Sequence, residues 1–220
     1  MMSGSYNSFI VELKKALDIP LPGTNAHDML APANRKQLLL QNPDISNAQQ
    51  SSVLILFFPD KDNNPSIVFT KRVEYKGVHS GQVSFPGGKA EKDDNDFVET
   101  AYRETEEEIG IKRNNIQILG VLTQLYVPPS NFIIYPVVSY MQEQPVFIPD
   151  NKEVAEIIVV PFNYFLNNGV VNHYPIKTHD SQLMHVPGYM VGNHLIWGAT
   201  AMILNELITI VRRNPDQTHK

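Results

Sequence analysis

Four glutamates stand within residues 104–108, inside the stretch RETEEEIG at 103–110. At about 100° per residue, with Glu104 at zero, Glu104, Glu107 and Glu108 fall between roughly −60° and 40°, one stripe of a helix. Glu106 points away, near about 200°. Val98, Ala101, Tyr102, Thr105 and Ile109 fall between roughly 60° and 160°, which makes them the stripe to bury. Convergent carboxylate oxygens, with no cysteine and no paired histidines beside them, suit a hard cation such as Mg²⁺ or Mn²⁺. A solvated face is the competing reading, because like charges at i,i+4 cost only about 0.2–0.5 kcal/mol on an exposed helix. The segment FPGGK at 85–89 tips the balance. Its adjacent glycines can bring backbone amides and carbonyls close to a ligand directly ahead of the acidic helix.

The elements that must position these residues follow from local signals. Asp96 followed by Glu99 has the form of a capping box, and Gly110 is placed to end the helix. Upstream, NSFIVELKKAL at 7–17 sets Phe9, Ile10, Leu13 and Leu17 at helical spacing, and DIPLPG stops it. Residues 20–50, rich in Pro, Asn and Gln, are expected to wrap the core irregularly. SSVLILFFP and SIVFTKR read as strands joined by the turn DKDNNP. Further strands are expected in IQILGVLTQLYV, FIIYPVVSYM, EVAEIIVVPF and HLIWG. This order predicts an α/β fold, a mixed sheet with helices on its faces.

Composition narrows the function. A chain of 220 residues, 42% hydrophobic and 19% charged, can bury a sizeable core as one domain with a short appendage. No cysteine is present, which removes disulfides and thiolate metal sites and fits a reducing, cytoplasmic compartment. The N-terminus lacks the basic start, apolar run and cleavage site of a secretory leader. HLIWGATAMILNELITIV is interrupted by Asn205 and Glu206 and reads as a buried terminal helix, so no membrane partner is expected. A net charge of −5 argues against nucleic acid as a partner. An anionic small substrate would need a metal ion or clustered cations, and Lys71, Arg72, Lys76 and His79 form the basic cluster beside the glycines.

Together these residues resemble the signature of the Nudix hydrolase family: Gly, five residues, Glu, seven residues, Arg-Glu-apolar-x-Glu-Glu-x-Gly-apolar. Arg103, Glu104, Glu107, Glu108, Gly110 and Ile111 match its second half, with Thr105 at the usual aliphatic position. The first half is offset by one residue, which puts Asn95 where Glu belongs and leaves Asp94 to take that role. The offset and the upstream stretch VFTKRVEYKGVHSGQVSFPGG resemble the coenzyme A pyrophosphatase-like branch, matched at Thr70, Arg72, Gly81, Phe85, Pro86, Gly87 and Gly88. The stretch departs at Val73, where Ser is expected, and at Gly77, where a second Arg is expected. NFIIYPVV and IWGATAMIL extend the likeness, which spans residues 51–207.

The resemblance implies a Nudix α/β/α sandwich. Residues 1–50 would be an N-terminal helix and irregular extension packed on the core, and 51–220 the hydrolase domain. It implies Mg²⁺- or Mn²⁺-dependent hydrolysis of a nucleoside-diphosphate-linked small molecule, with coenzyme A or acyl-coenzyme A giving 3′,5′-ADP and (acyl-)4′-phosphopantetheine. Glu104, Glu107 and Glu108 would hold the metal with the Gly88 carbonyl, and Glu104 and Glu107 would serve catalysis directly. Arg103 would brace the carboxylates. Glu153, ahead of Glu156 at a strand entry, is the expected general base. Arg72, Lys71, Lys76 and Gly87 would contact substrate. The alternatives are hydrolysis of ADP-ribose or a dinucleotide such as NADH, and a catalytically silent nucleotide-binding domain. A homodimer is left open by the apolar terminal segments.

Overall fold

The run Leu-Ile-Leu-Phe-Phe at 54–58 is apolar on both sides, and a strand of that kind needs cover on both faces. It forms the centre of β1 (Gln49–Pro59). Leu54, Leu56 and Phe58 join one apolar cluster, while Val53, Ile55 and Phe57 join another. The computed structural model describes residues 5–41, 43–73, 81–167, 170–177 and 183–213.

β1 lies parallel to β7 (Phe132–Tyr140). Along its other edge it pairs antiparallel with β4 (Gly87–Lys89) through Ser51, Ser52 and Val53, then with β2 (Pro65–Arg72) through Phe57, Phe58 and Pro59. β2 also carries β3 (Val83–Ser84) and β8 (Val154–Pro161), and β7 carries β5 (Gln117–Val121) and β6 (Leu125–Val127). Among the described residues these eight strands make one mixed sheet. Helix α4 (Phe97–Ile109) covers one face, with Ala101 and Ile109 packed on Leu54, Leu56, Phe58, Val68 and Val137. Helices α1 (Tyr6–Leu17) and α6 (Gly198–Arg213) cover the other, where Phe9 and Leu13 meet Ile55, Phe57, Leu204 and Leu207. The result is the α/β/α sandwich.

Three elements differ from the sequence expectation. The stretch expected to be irregular contains two short helices, α2 (Thr24–Asp28) and α3 (Arg35–Leu40). The strand expected over 116–127 breaks into β5 and β6, because the Thr123 N–H donates to the Glu206 carboxylate at 3.2 Å. After the short helix α5 (Asn163–Leu166), an antiparallel sheet of β9 (Val171–Lys177), β10 (Leu183–Val191) and β11 (His194–Trp197) was foreseen only in its last strand. β9 alternates poorly and contains Pro175, which hides its strand character.

The terminal segment is the buried helix that was expected, and Asn205 and Glu206, which break its apolar run, lie inside it. They are buried, and Glu206 is fully enclosed. Its carboxylate accepts the Gly23 N–H at 3.1 Å and lies 2.8 Å from His27 Nε2, so its polar atoms are matched, as a buried acid requires. This knot ties α2, α6 and the β5–β6 break together. Among the described residues no helix is long and apolar enough to cross a membrane.

Candidate active site

Helix α4 begins where the Asp96 carboxylate accepts the N–H groups of Val98 (2.8 Å) and Glu99 (2.9 Å). The expected reciprocal half of the box is replaced. Glu99 pairs with Arg113 at 2.6 Å, an ion pair that outcompetes a neutral amide for the carboxylate. Gly110 ends the helix with φ of 73°, where a side chain would be strained and would collide with Ile148. Thr105 faces the sheet fully buried, and its hydroxyl has no hydrogen-bond partner.

The glycine loop and the helix interlock. Gly88 pairs with Ser52, and a Cβ at Gly88 would overlap the Glu104 carboxylate. A Cβ at Gly87 would overlap the Ser52 carbonyl and Val53, at a φ of 151°. Glu108 reaches under this loop. Its carboxylate accepts the Gly87 N–H at 3.1 Å and Arg72 Nη2 at 3.3 Å, while the same Nη2 donates to the Gly87 carbonyl at 3.1 Å. Burial pushes the Glu108 carboxyl up to about 7, against the opposing pull of Arg72 and the Gly87 amide. Burial raises Glu104 as well, with Arg103 pulling it down and the charges of Glu107 and Glu153 pushing it up.

Arg103 organises the outer side. Its Nε and Nη2 donate to the two oxygens of Asp94, each at 3.0 Å, in the bidentate form that guanidinium favours. Nη1 donates to Glu104 at 3.0 Å and to Glu107 at 3.1 Å, and Nη2 also reaches the Lys89 carbonyl at 2.9 Å. Asp94 further accepts the Thr100 hydroxyl and the Glu91 N–H, both at 2.9 Å. Arg103 chiefly holds the Asp94 carboxyl down at about 2.

The predicted site residues therefore separate into groups. Glu104, Glu108 and Gly88 are brought together, while Glu153 stands exposed at the entry to β8, where its charge raises the pKa of both Glu104 and Glu108. Glu107 lies on the outer rim, about half exposed and tied to Arg103. Arg72, expected to meet substrate, has its Nη2 engaged by Glu108 and the Gly87 carbonyl. Gly87, given the same expectation, has its amide and carbonyl engaged there too. Lys71 does not join them, because alternation along β2 turns it away from the face on which Arg72 meets Glu108. It pairs across the ladder with Glu156, whose carboxylate lies 3.2 Å from His194 Nε2 rather than near α4. Lys76, Gly77 and His79 lie outside the described residues. The Arg72–Glu108 pair went unforeseen. Its signal was the presence of both residues in adjoining motifs, one at a strand end and one on the inner edge of the carboxylate stripe.

Among the described residues no three carboxylate or imidazole groups are gathered closely enough to form a ready metal site. The chemistry of the set still fits a divalent ion. The cations set against Asp94, Glu104, Glu107 and Glu108 are the guanidiniums of Arg72 and Arg103, and burial raises the inner two carboxyls, Glu108 with a further push from the Glu104 charge. The atoms nearest a Cβ at Gly88 are those of the Glu104 carboxylate, and carboxylate oxygen beside a backbone carbonyl suits a hard cation.

A family model described as NUDIX domain matches residues 48–179. A protein described as Uncharacterized Nudix hydrolase NudL, from Pectobacterium atrosepticum, is 36% identical over 152 residues, covering 69% of this chain and 78% of that protein. Nudix hydrolase 15, mitochondrial, from Arabidopsis thaliana, is 32% identical over 184 residues, which is 80% of this chain and 64% of that protein. Among solved structures, a MutT/nudix family protein from Enterococcus faecalis aligns with a TM-score of 0.47 at 15% identity, over 81% of this chain and 68% of that one.

Proposed function

The chain belongs to the Nudix hydrolase family, and from that premise we propose that it splits the pyrophosphate bond of coenzyme A or acyl-coenzyme A, releasing 3′,5′-ADP and (acyl-)4′-phosphopantetheine. The observation that carries this reading is the bridge from Arg72 through Glu108 to Gly87. It joins the coenzyme A-type stretch at 70–88 physically to the carboxylates of α4.

Glu104, Glu107 and Glu108, with the Gly88 carbonyl, would hold Mg²⁺ or Mn²⁺. Bound there, the ion supplies charge neutralisation at the pyrophosphate and a lowered pKa for water. The chain's own residues do the rest. Glu153, exposed at the entry to β8, accepts the proton of the attacking water as oxygen bonds to phosphorus and the bridging P–O bond breaks. Arg72 and the Gly87 amide keep Glu108 in place. Arg103, locked by Asp94, fixes the approach of Glu104 and Glu107.

ADP-ribose or a dinucleotide such as NADH is the second reading. It is favoured by Gly77, which stands where the coenzyme A-type stretch has a second Arg, and by the turn of Lys71 away from the site. Product analysis with Mg²⁺ or Mn²⁺ on coenzyme A, 3′-dephospho-coenzyme A, ADP-ribose and NADH separates the two. Preferential turnover of coenzyme A supports the first reading, and equal or better use of ADP-ribose or NADH overturns it.

A further inference from the structure

The last carbonyls of a helix lack partners within it and must be met from outside. At the end of α4, Gly110 meets one through its own N–H to Glu106, and residues 147–153 meet two more. The Ile148 N–H donates to the Ile109 carbonyl at 2.9 Å, and the Asp150 N–H donates to the Glu108 carbonyl at 3.0 Å. Phe147 packs edge-on against Phe58 in the core, with ring centroids 5.5 Å apart. Ile148 lies over Gly110 so closely that a Cβ there would stand 2.8 Å from its own. The chain then turns on Asp150, whose carbonyl accepts the N–H groups of Glu153 and Val154 at 3.0 and 2.8 Å. The Glu153 carbonyl in turn accepts the Val73 N–H at 3.0 Å, which fastens the far end to the end of β2.

This segment carries no regular secondary structure, yet it is fixed at both ends to the two elements that supply Glu108 and Arg72. Its ordered geometry delivers one functional side chain to the rim, Glu153. We infer that residues 147–153 are a positioning strap, in which Phe147 packed on Phe58 and Ile148 over Gly110 hold Glu153 at the entry to β8, beside the strand end that carries Arg72. The inference rests on the reading of Glu153 as the proton acceptor. Phe147 and Gly110 are positioning residues: they touch no substrate and act through Glu153. Gly110 thus has a second task beyond ending the helix, since any side chain there would lift the strap.

The test is a double-mutant cycle on kcat, using whichever of the four substrates turns over, with Mg²⁺, on wild type, Phe147→Ala, Glu153→Gln and the double variant. Melting midpoints are measured alongside, and all assays run below the lowest. Phe147→Ala is expected to lower kcat about tenfold to a hundredfold with KM little changed, as a displaced group does. In the Glu153→Gln background the same change should cost under about twofold, because the group it positions is already disabled. Phe147→Leu, which keeps an apolar anchor, should restore most of the rate. Gly110→Ala repeats the cycle through the other anchor if Phe147→Ala does not fold. Equal losses in both backgrounds would overturn the strap while leaving Glu153 as the base. Near wild-type kcat in Glu153→Gln would overturn the base reading and the strap with it.

Discussion

Replacing Arg72 by Ala separates two roles that the sequence left together. Glu108 is 1% exposed, and its carboxylate is met by the Arg72 guanidinium and the Gly87 amide. Removing the guanidinium leaves a buried carboxylate with one neutral donor. Losing one partner of a fully buried pair costs about 3–5 kcal/mol. Arg72 is 28% exposed and its contact is 3.3 Å long, so solvent screening reduces the expected loss to about 2 kcal/mol, felt above about pH 7 where Glu108 is charged. For a domain of this size that is a fall in Tm of roughly 4–8 °C. The Glu108 carboxyl, already at about 7, should move further up, because Arg72 is the largest influence holding it down. A pKa raised above the ordinary 4.5 stabilises the fold fully below pH 4.5 and loses that contribution as pH climbs through about 7. In Arg72→Ala that window extends upward, and the pH optimum for activity should shift in the same direction. The assay is kcat/KM on coenzyme A and on 3′-dephospho-coenzyme A, with melting curves across pH. A brace predicts equal losses on both substrates. A loss confined to coenzyme A, with stability unchanged, would refute the brace and make Arg72 a reader of the 3′-phosphate.

Glu107→Gln should lower metal-dependent turnover by orders of magnitude while the melting midpoint stays near wild type, since Glu107 is mostly exposed; near wild-type activity would place the metal elsewhere. Thr105→Val should raise stability by about 1 kcal/mol, because it removes a buried hydroxyl that has no partner; thermal melting checks it, and a lower midpoint would mean the hydroxyl is bonded. Asp94→Asn should reduce kcat by loosening Arg103 and with it Glu104 and Glu107. Asp94 titrates at about 2, below its ordinary 3.8, so its contribution is full above pH 3.8 and is lost as pH falls through about 2. Acid melting curves of Asp94→Asn should therefore lack that decline.

The acidic helix was legible because its period, its Asp96 cap and its Gly110 stop all agree, and β1 was legible because an unbroken apolar run has few other uses. Helical spacing also placed Glu104 and Glu108 on one stripe. It could not tell that Glu108 is fully enclosed, because enclosure depends on Gly87 and Arg72 arriving from strands distant in sequence. Alternation along β2 would have separated Lys71 from Arg72, had charge clustering not been weighed above strand period. The terminal helix was legible as buried, but the role of Glu206 within it was not. Its partners Gly23, His27 and Thr123 lie far away in sequence, and only the folded chain shows that they enclose it. The path of residues 147–153 was invisible for a related reason: the bonds that tie it to α4 and β2 run through backbone amides, which carry no residue-type signal.

The most direct test is a time course of coenzyme A with Mg²⁺, with and without chelator, following both halves of the substrate. The account predicts 3′,5′-ADP and 4′-phosphopantetheine appearing in equal amounts, and neither appearing once the metal is removed. Folded protein that leaves coenzyme A intact with Mg²⁺ and with Mn²⁺ would contradict it.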